Sequence, residues 1–196
     1  MDFKRFFSTA GVKGTQNYLN SQKKYEVIRT VIYFAISLSL FFAGWITTGT
    51  RNNLLTIVAV LGCLPASKSL VETVMYCRYH SLSVSDAMLI EPHTKGLSCA
   101  YDMIFTSREK TYPVMHLIVR GNTIVGYMPD MGKKLSDTEC AKHLTTCLNA
   151  DRYTGITIKI FGDVRKYAER AEQLKQLPAD EELSAGILHT LKSITL

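Results

Sequence analysis

The side chains best able to do chemistry in this sequence fall into three groups. Cys140, His143 and Cys147 stand at i, i+3 and i+7, which puts two thiols and an imidazole on one face of a helix. Thiolate and imidazole are zinc ligands, and Cys99 or His116 on a strand could supply a fourth. Closed zinc sites usually use C-x2-C knuckles, and none occurs here. A cysteine on the apolar stripe of a helix serves equally as a small hydrophobe, so no metal or other cofactor is expected. The same residues could form a cysteine–histidine nucleophile pair. Asp102 and His116, on what read as adjacent strands, could act as an acid–base couple or simply share a partly exposed sheet face. Lys68 and Glu72 stand at i, i+4 inside an apolar segment. Ionisable residues in a membrane helix mark sites or paths, but a lysine late in a span can also snorkel to the interface. No G-x-S-x-G, H-E-x-x-H, P-loop or dinucleotide fingerprint is present.

The elements that must position these groups fall into two regions. Residues 27–48 are mostly apolar and carry one charge, Arg29, near the start. About 20 such residues span a bilayer as a helix. Tyr25 and Trp45 lie twenty residues apart, about 30 Å along a helix, which suits one aromatic at each interface. A second helix is expected over 53–79. It is apolar to residue 66, kinked at Pro65, and then carries Lys68 and Glu72 near the inner interface. Its apolar run is short enough that a re-entrant or interfacial helix is the alternative. Tyr25, Arg29, Trp45, Lys68 and Glu72 are thus the candidate membrane-interface residues. Little of a polar seam along the two helices is legible.

Charge sets the expected orientation. Residues 1–80 carry nine Lys or Arg against three acidic residues, whereas 81–196 carry fourteen of each. Six of the nine lie in residues 1–29, and the turn between the helices holds only Arg51. Flanking Lys and Arg stay in the cytoplasm, so both termini are expected there, in a multi-pass protein of the cell membrane. A cleaved signal peptide does not fit, because another apolar segment follows and no A-x-A site does. Phe3, Phe6 and Phe7 interleave with Lys4 and Arg5, a pattern suited to an anionic membrane surface or to a free tail. The neutral balance of 81–196 argues against nucleic acid as a partner. Five cysteines make an odd set that reads as free thiols, not as a disulfide framework.

Residues 81–196 read as α-β-β-β-α-β-α-α. A helix at 83–91 is stopped by Pro92. Strands follow at 100–107, with Tyr101, Met103 and Phe105 on one face, at 113–120 and at 123–128, the last two joined by Gly121-Asn122. The capping box Ser136 to Glu139 opens a helix to 148. A strand at 156–161 precedes a strongly amphipathic helix over 164–177, and a last helix starts at Asp180. Ile156, Ile158 and Ile160 should share one sheet face, with Ile158 central to the core and Tyr167, Ala171 and Leu174 as its cover. The fold class is α+β: a two-helix transmembrane hairpin, then a mixed four-stranded sheet packed with helices. The divisions are 1–26, a basic juxtamembrane segment; 27–80, the hairpin; and 81–196, a cytoplasmic α/β domain.

That element order is similar to the core of restriction-endonuclease-like folds, which hold Mg²⁺ with an Asp and an E-x-K on neighbouring strands. Asp102 matches the first position, but residues 114–120 contain no E-x-K, which argues against nuclease activity. The stretches Leu64-Pro65-Ala66-Ser67-Lys68 and Ile158 to Tyr167 resemble a group of uncharacterised bacterial two-pass membrane proteins. That resemblance implies an architecture but no activity. The expectation is a membrane-anchored, non-enzymatic interaction or regulatory protein, with the lipid bilayer and a protein partner or a second copy as partners. The alternatives are a membrane-tethered nuclease or hydrolase with a degenerate site, and an oligomeric channel or transport accessory in which Lys68 and Glu72 line a path.

Overall fold

The structure is a computed structural model, and it describes residues 13–50, 52–129, 136–178 and 180–195. Contacts divide the described chain into two compact units, one of residues 19–80 and one that joins residues 13–18 to 81–195.

The first unit is a helical hairpin. Helix α1 runs unbroken over Tyr18–Thr48, so the segment before residue 27 and the apolar segment form one rod. Gly49, at φ +66°, ends it in the left-handed conformation that glycine adopts at little cost, and its N–H returns to the Trp45 carbonyl. Asn53 caps α2 (Leu54–Cys77) by accepting from the Thr56 N–H at 2.8 Å. Helix α2 continues through Pro65. Both helices are long and apolar enough to cross a membrane. Their apolar side chains point outward: among the described residues, every exposed large hydrophobic lies on α1 or α2 except Val84, Met88, Leu89 and Leu177.

The second unit is α+β. Helix α3 (Val84–Thr94) is capped by Ser83 and extends one turn past its expected end, with Pro92 inside it. Strands β1 (Ser98–Thr106), β2 (Thr111–Arg120) and β3 (Thr123–Tyr127) form an antiparallel meander. Helix α4 (Asp137–Ala150) leads to β4 (Thr157–Phe161), which returns parallel to β3 at the sheet edge. Helices α5 (Val164–Leu174) and α6 (Glu181–Ile194) complete the unit. The free edge of β1 is occupied rather than exposed. Gly14 accepts from the Tyr101 N–H at 3.0 Å, and Thr195 both donates to and accepts from the Ile104 backbone.

Helices α4 and α6 cover one face of the sheet, where Phe105, Val114, Leu117, Ile124, Leu144 and Ile187 form the main core. The other face meets α5, with α3 packed beside it. Two expectations need correction. Ile156, Ile158 and Ile160 do share the face toward the main core, but Ile158 and Ile156 are only half-buried and Ile160 is the buried one. An edge strand receives cover from one side only. The stripe Tyr167, Ala171 and Leu174 does not cover these isoleucines, because it is buried with His116 and Tyr127 on the opposite face. Strand β1 also changes phase. Met103 and Phe105 join the main core, yet Tyr101 lies against His116 on the other side. The break is Asp102, whose φ of +54° is left-handed and resets which residues face inward.

Candidate functional site

In the hairpin the structure brings together charged and hydroxyl side chains that their positions in the sequence hold far apart. Arg29 ion-pairs with Glu26 at 2.7 Å on its own helix and with Glu72 on α2, and its Nε donates to the Ser69 hydroxyl at 3.4 Å. The Thr30 hydroxyl meets those of Ser69 at 2.8 Å and Thr73 at 2.9 Å. Gln22 donates to Glu26 at 3.0 Å. Gln22, Glu26, Thr30, Ser37, Ser69 and Thr73 are all buried. Lys68 stays largely exposed, 4.0 Å from Glu72, so the lysine's partner is the expected one, but Arg29 makes the closer contact with Glu72.

These residues form a seam because the helices approach closely. A Cβ on Gly62 would stand 2.7 Å from the Ser37 hydroxyl, and one on Gly44 would stand 2.6 Å from Asn53. Small residues at a helix interface permit such an approach. On α2 the inward set is Ala59, Gly62, Ala66, Ser69, Thr73 and Tyr76, alternating steps of three and four. That is heptad spacing, the seam of a left-handed helix pair. The sequence therefore did carry a signal for the seam, in small and hydroxyl residues, where a search for charges finds little. Chemically the cluster is a clasp. One guanidinium and one nearby ammonium neutralise two carboxylates, and the hydroxyls bond to one another across the helices.

Tyr25 and Trp45 lie on the one continuous α1. Trp45 is 42% exposed and packs beside Phe41. Phe3, Lys4, Arg5, Phe6, Phe7 and Arg51 lie outside the described residues.

In the α/β unit, Asp102 and His116 are both buried. The Asp102 carboxylate accepts from the Leu82 backbone N–H at 3.1 Å. His116 Nδ1 bonds the Tyr167 hydroxyl, and its ring lies edge-on to Tyr101 with centroids 4.5 Å apart. Among the described residues its Nε2 has no hydrogen-bond partner. Burial lowers the His116 pKa to about 4, so the ring is neutral at physiological pH. A neutral ring with an orphaned Nε2 is best served by Nδ1–H donating to Tyr167, which leaves Nε2 a bare lone pair rather than a stranded N–H. Burial likewise raises Tyr167, Tyr101 and Tyr127, the last also through Asp86, and pushes the Cys99 thiol up to about 11. This is a packed aromatic cluster with neutral polar groups.

The three metal candidates diverge. Cys140 belongs to the main core, and burial, followed by the nearby Asp137, pushes its thiol up to about 12. Cys147 Sγ lies 3.8 Å from His143 Nε2 and is half-buried. His143 borders an open depression of about 260 Å³ with Tyr112, Lys142 and the Lys110–Glu139 ion pair. Among the described residues no group of three or more His, Cys, Asp or Glu is placed to hold a metal ion. Cys99 and His116, the possible fourth ligands, are on the Tyr167 side of the sheet. Comparison with protein-family models, with curated proteins and with solved structures found no match to this chain.

Proposed function

We propose that this chain is a membrane-anchored, non-enzymatic interaction or regulatory protein, with its hairpin in the cell membrane and its α/β domain and both termini in the cytoplasm. The observation that carries this reading is the inverted polarity of the hairpin. It turns Val31, Ile46, Leu54, Ile57, Val60 and Leu64 outward and keeps Gln22, Glu26, Thr30, Ser37, Ser69 and Thr73 inside. Such a surface suits lipid and not water. The interaction class is favoured over a hydrolase because Asp102 and His116 are buried with structural partners. A channel or transport accessory would call on the polar seam, but the groups of that seam bond one another.

Membrane vesicles carrying the chain should retain it through alkaline carbonate extraction. Trypsin should digest the α/β domain in inverted vesicles and spare it in right-side-out ones. Release by carbonate would overturn the anchor, and digestion in right-side-out vesicles would overturn the orientation.

A further inference from the structure

Helix α3 is apolar on two sides. Its inward side buries Ile90 and Thr94, and the Tyr127 hydroxyl donates to Asp86 at 3.1 Å. Its outward side carries Val84, Met88 and Pro92 at i, i+4 and i+8, with Leu89 on one shoulder and Glu91 as the only bordering charge on the helix. Val84 is 71% exposed and Met88 68%. Apolar surface is stabilised by being taken out of water, and in the α/β unit only the Ile90–Thr94 side of α3 has its cover. Outside the two long helices these residues and Leu177 are the exposed large hydrophobics among the described residues.

The chain itself indicates what lies against this stripe. Leu82 is fixed in the domain, buried and with its N–H bonded to Asp102. Only residues 78–81 separate it from Cys77, the last residue of α2. That link reaches at most about 18 Å when fully extended, and α3 begins two residues after Leu82. The other end of the hairpin has no slack either, since Gly14 is bonded to β1 and α1 starts at Tyr18. With the hairpin in the bilayer, these two short links let α3 reach the headgroup layer. An amphipathic surface helix buries its apolar face about 5–10 Å into that layer. We infer that the Val84–Met88–Pro92 stripe of α3 lies in the lipid headgroup interface and docks the α/β domain flat on the membrane. This inference rests on the membrane reading of the hairpin.

The test uses the full-length chain in phosphatidylcholine–phosphatidylglycerol vesicles. Trp45, the chain's single tryptophan, is replaced by Phe, and Met88→Trp, Val84→Trp or Asn149→Trp, the last exposed on α4, is added as a probe. Lipids brominated near the headgroup end should quench and blue-shift the 84 and 88 probes and leave the 149 probe unchanged. Water-like, unquenched emission from both α3 probes, in a parent whose Trp45 is quenched, would overturn the docking and leave the anchor standing. Blue-shifted but unquenched α3 probes in a chain that sediments as a dimer would also overturn it, in favour of a second copy covering the stripe. An unquenched parent Trp45 would remove the membrane reading and the docking with it.

Discussion

The two units solve the same problem with opposite polarity. The hairpin buries Thr30 against Ser69 and Thr73, and Glu26 against Gln22 and Arg29, and exposes isoleucine, valine and leucine. The α/β unit buries Leu117, Ile124, Leu144 and Ile187 and leaves its charges outside. Where it buries polar groups, His116 is held neutral and bonds the Tyr167 hydroxyl, and Asp102 accepts from the Leu82 backbone. Burial in water is driven by apolar area. In lipid that drive between helices is absent, and close packing and hydrogen bonds take over. The hairpin and the domain should therefore fail in different ways when damaged.

The largest expected loss lies in the domain core. Ile160→Ala should cost about 2–5 kcal/mol, and Ile158→Ala clearly less, since Ile158 is half-buried. Thermal melts of the full chain in nanodiscs, followed by the near-ultraviolet signal, would show it. Equal losses would mean that β4 is not an edge strand.

The next effect is a pH dependence. His116 titrates near 4 in the folded chain and near 6.5 once unfolded. Between those values the unfolded state binds the extra proton, so stability falls as pH falls from about 6.5 to about 4, by roughly 3 kcal/mol. His116→Leu should flatten that limb of the stability–pH curve. An unchanged slope in the variant would assign the titration to another group.

In the hairpin, Arg29→Leu leaves Glu26 and Glu72 facing each other without the guanidinium. Because Arg29 and Glu72 are partly exposed, the expected cost is about 1–3 kcal/mol, less than for a fully buried pair. Adding Glu72→Leu should recover part of it, as a coupled pair requires. Unfolding titrations with dodecyl sulfate in mixed micelles would measure both, and strict additivity would argue against the clasp. Lys159→Ala should move stability by less than about 0.5 kcal/mol, since Lys159 is exposed and rests over the Phe161 ring.

The element order was legible largely because every described helix after α1 starts with its cap. Asn53, Ser83, Ser136, Asp163 and Asp180 all accept from the first turn as their types predict. What was not legible came from tertiary placement. Nothing local says that β4 lies at the edge, so Ile158 read as central. Nothing local marks Asp102 as left-handed, so the phase of β1 read as continuous through Tyr101. The seam was missed because its residues are mostly small or hydroxylic and gain meaning only when the second helix is present. Of the site candidates, Glu72 was read with its neighbour Lys68, although Arg29, forty-three positions away, makes the closer contact.

Trp45 tests the central claim most directly, because the chain has no other tryptophan. In nanodiscs with lipids brominated at graded depths, its emission should be blue-shifted and most strongly quenched by bromines near the headgroup end of the acyl chain. Emission like that of the denatured chain, insensitive to bromines at every depth, would contradict a hairpin that turns its apolar side chains to lipid.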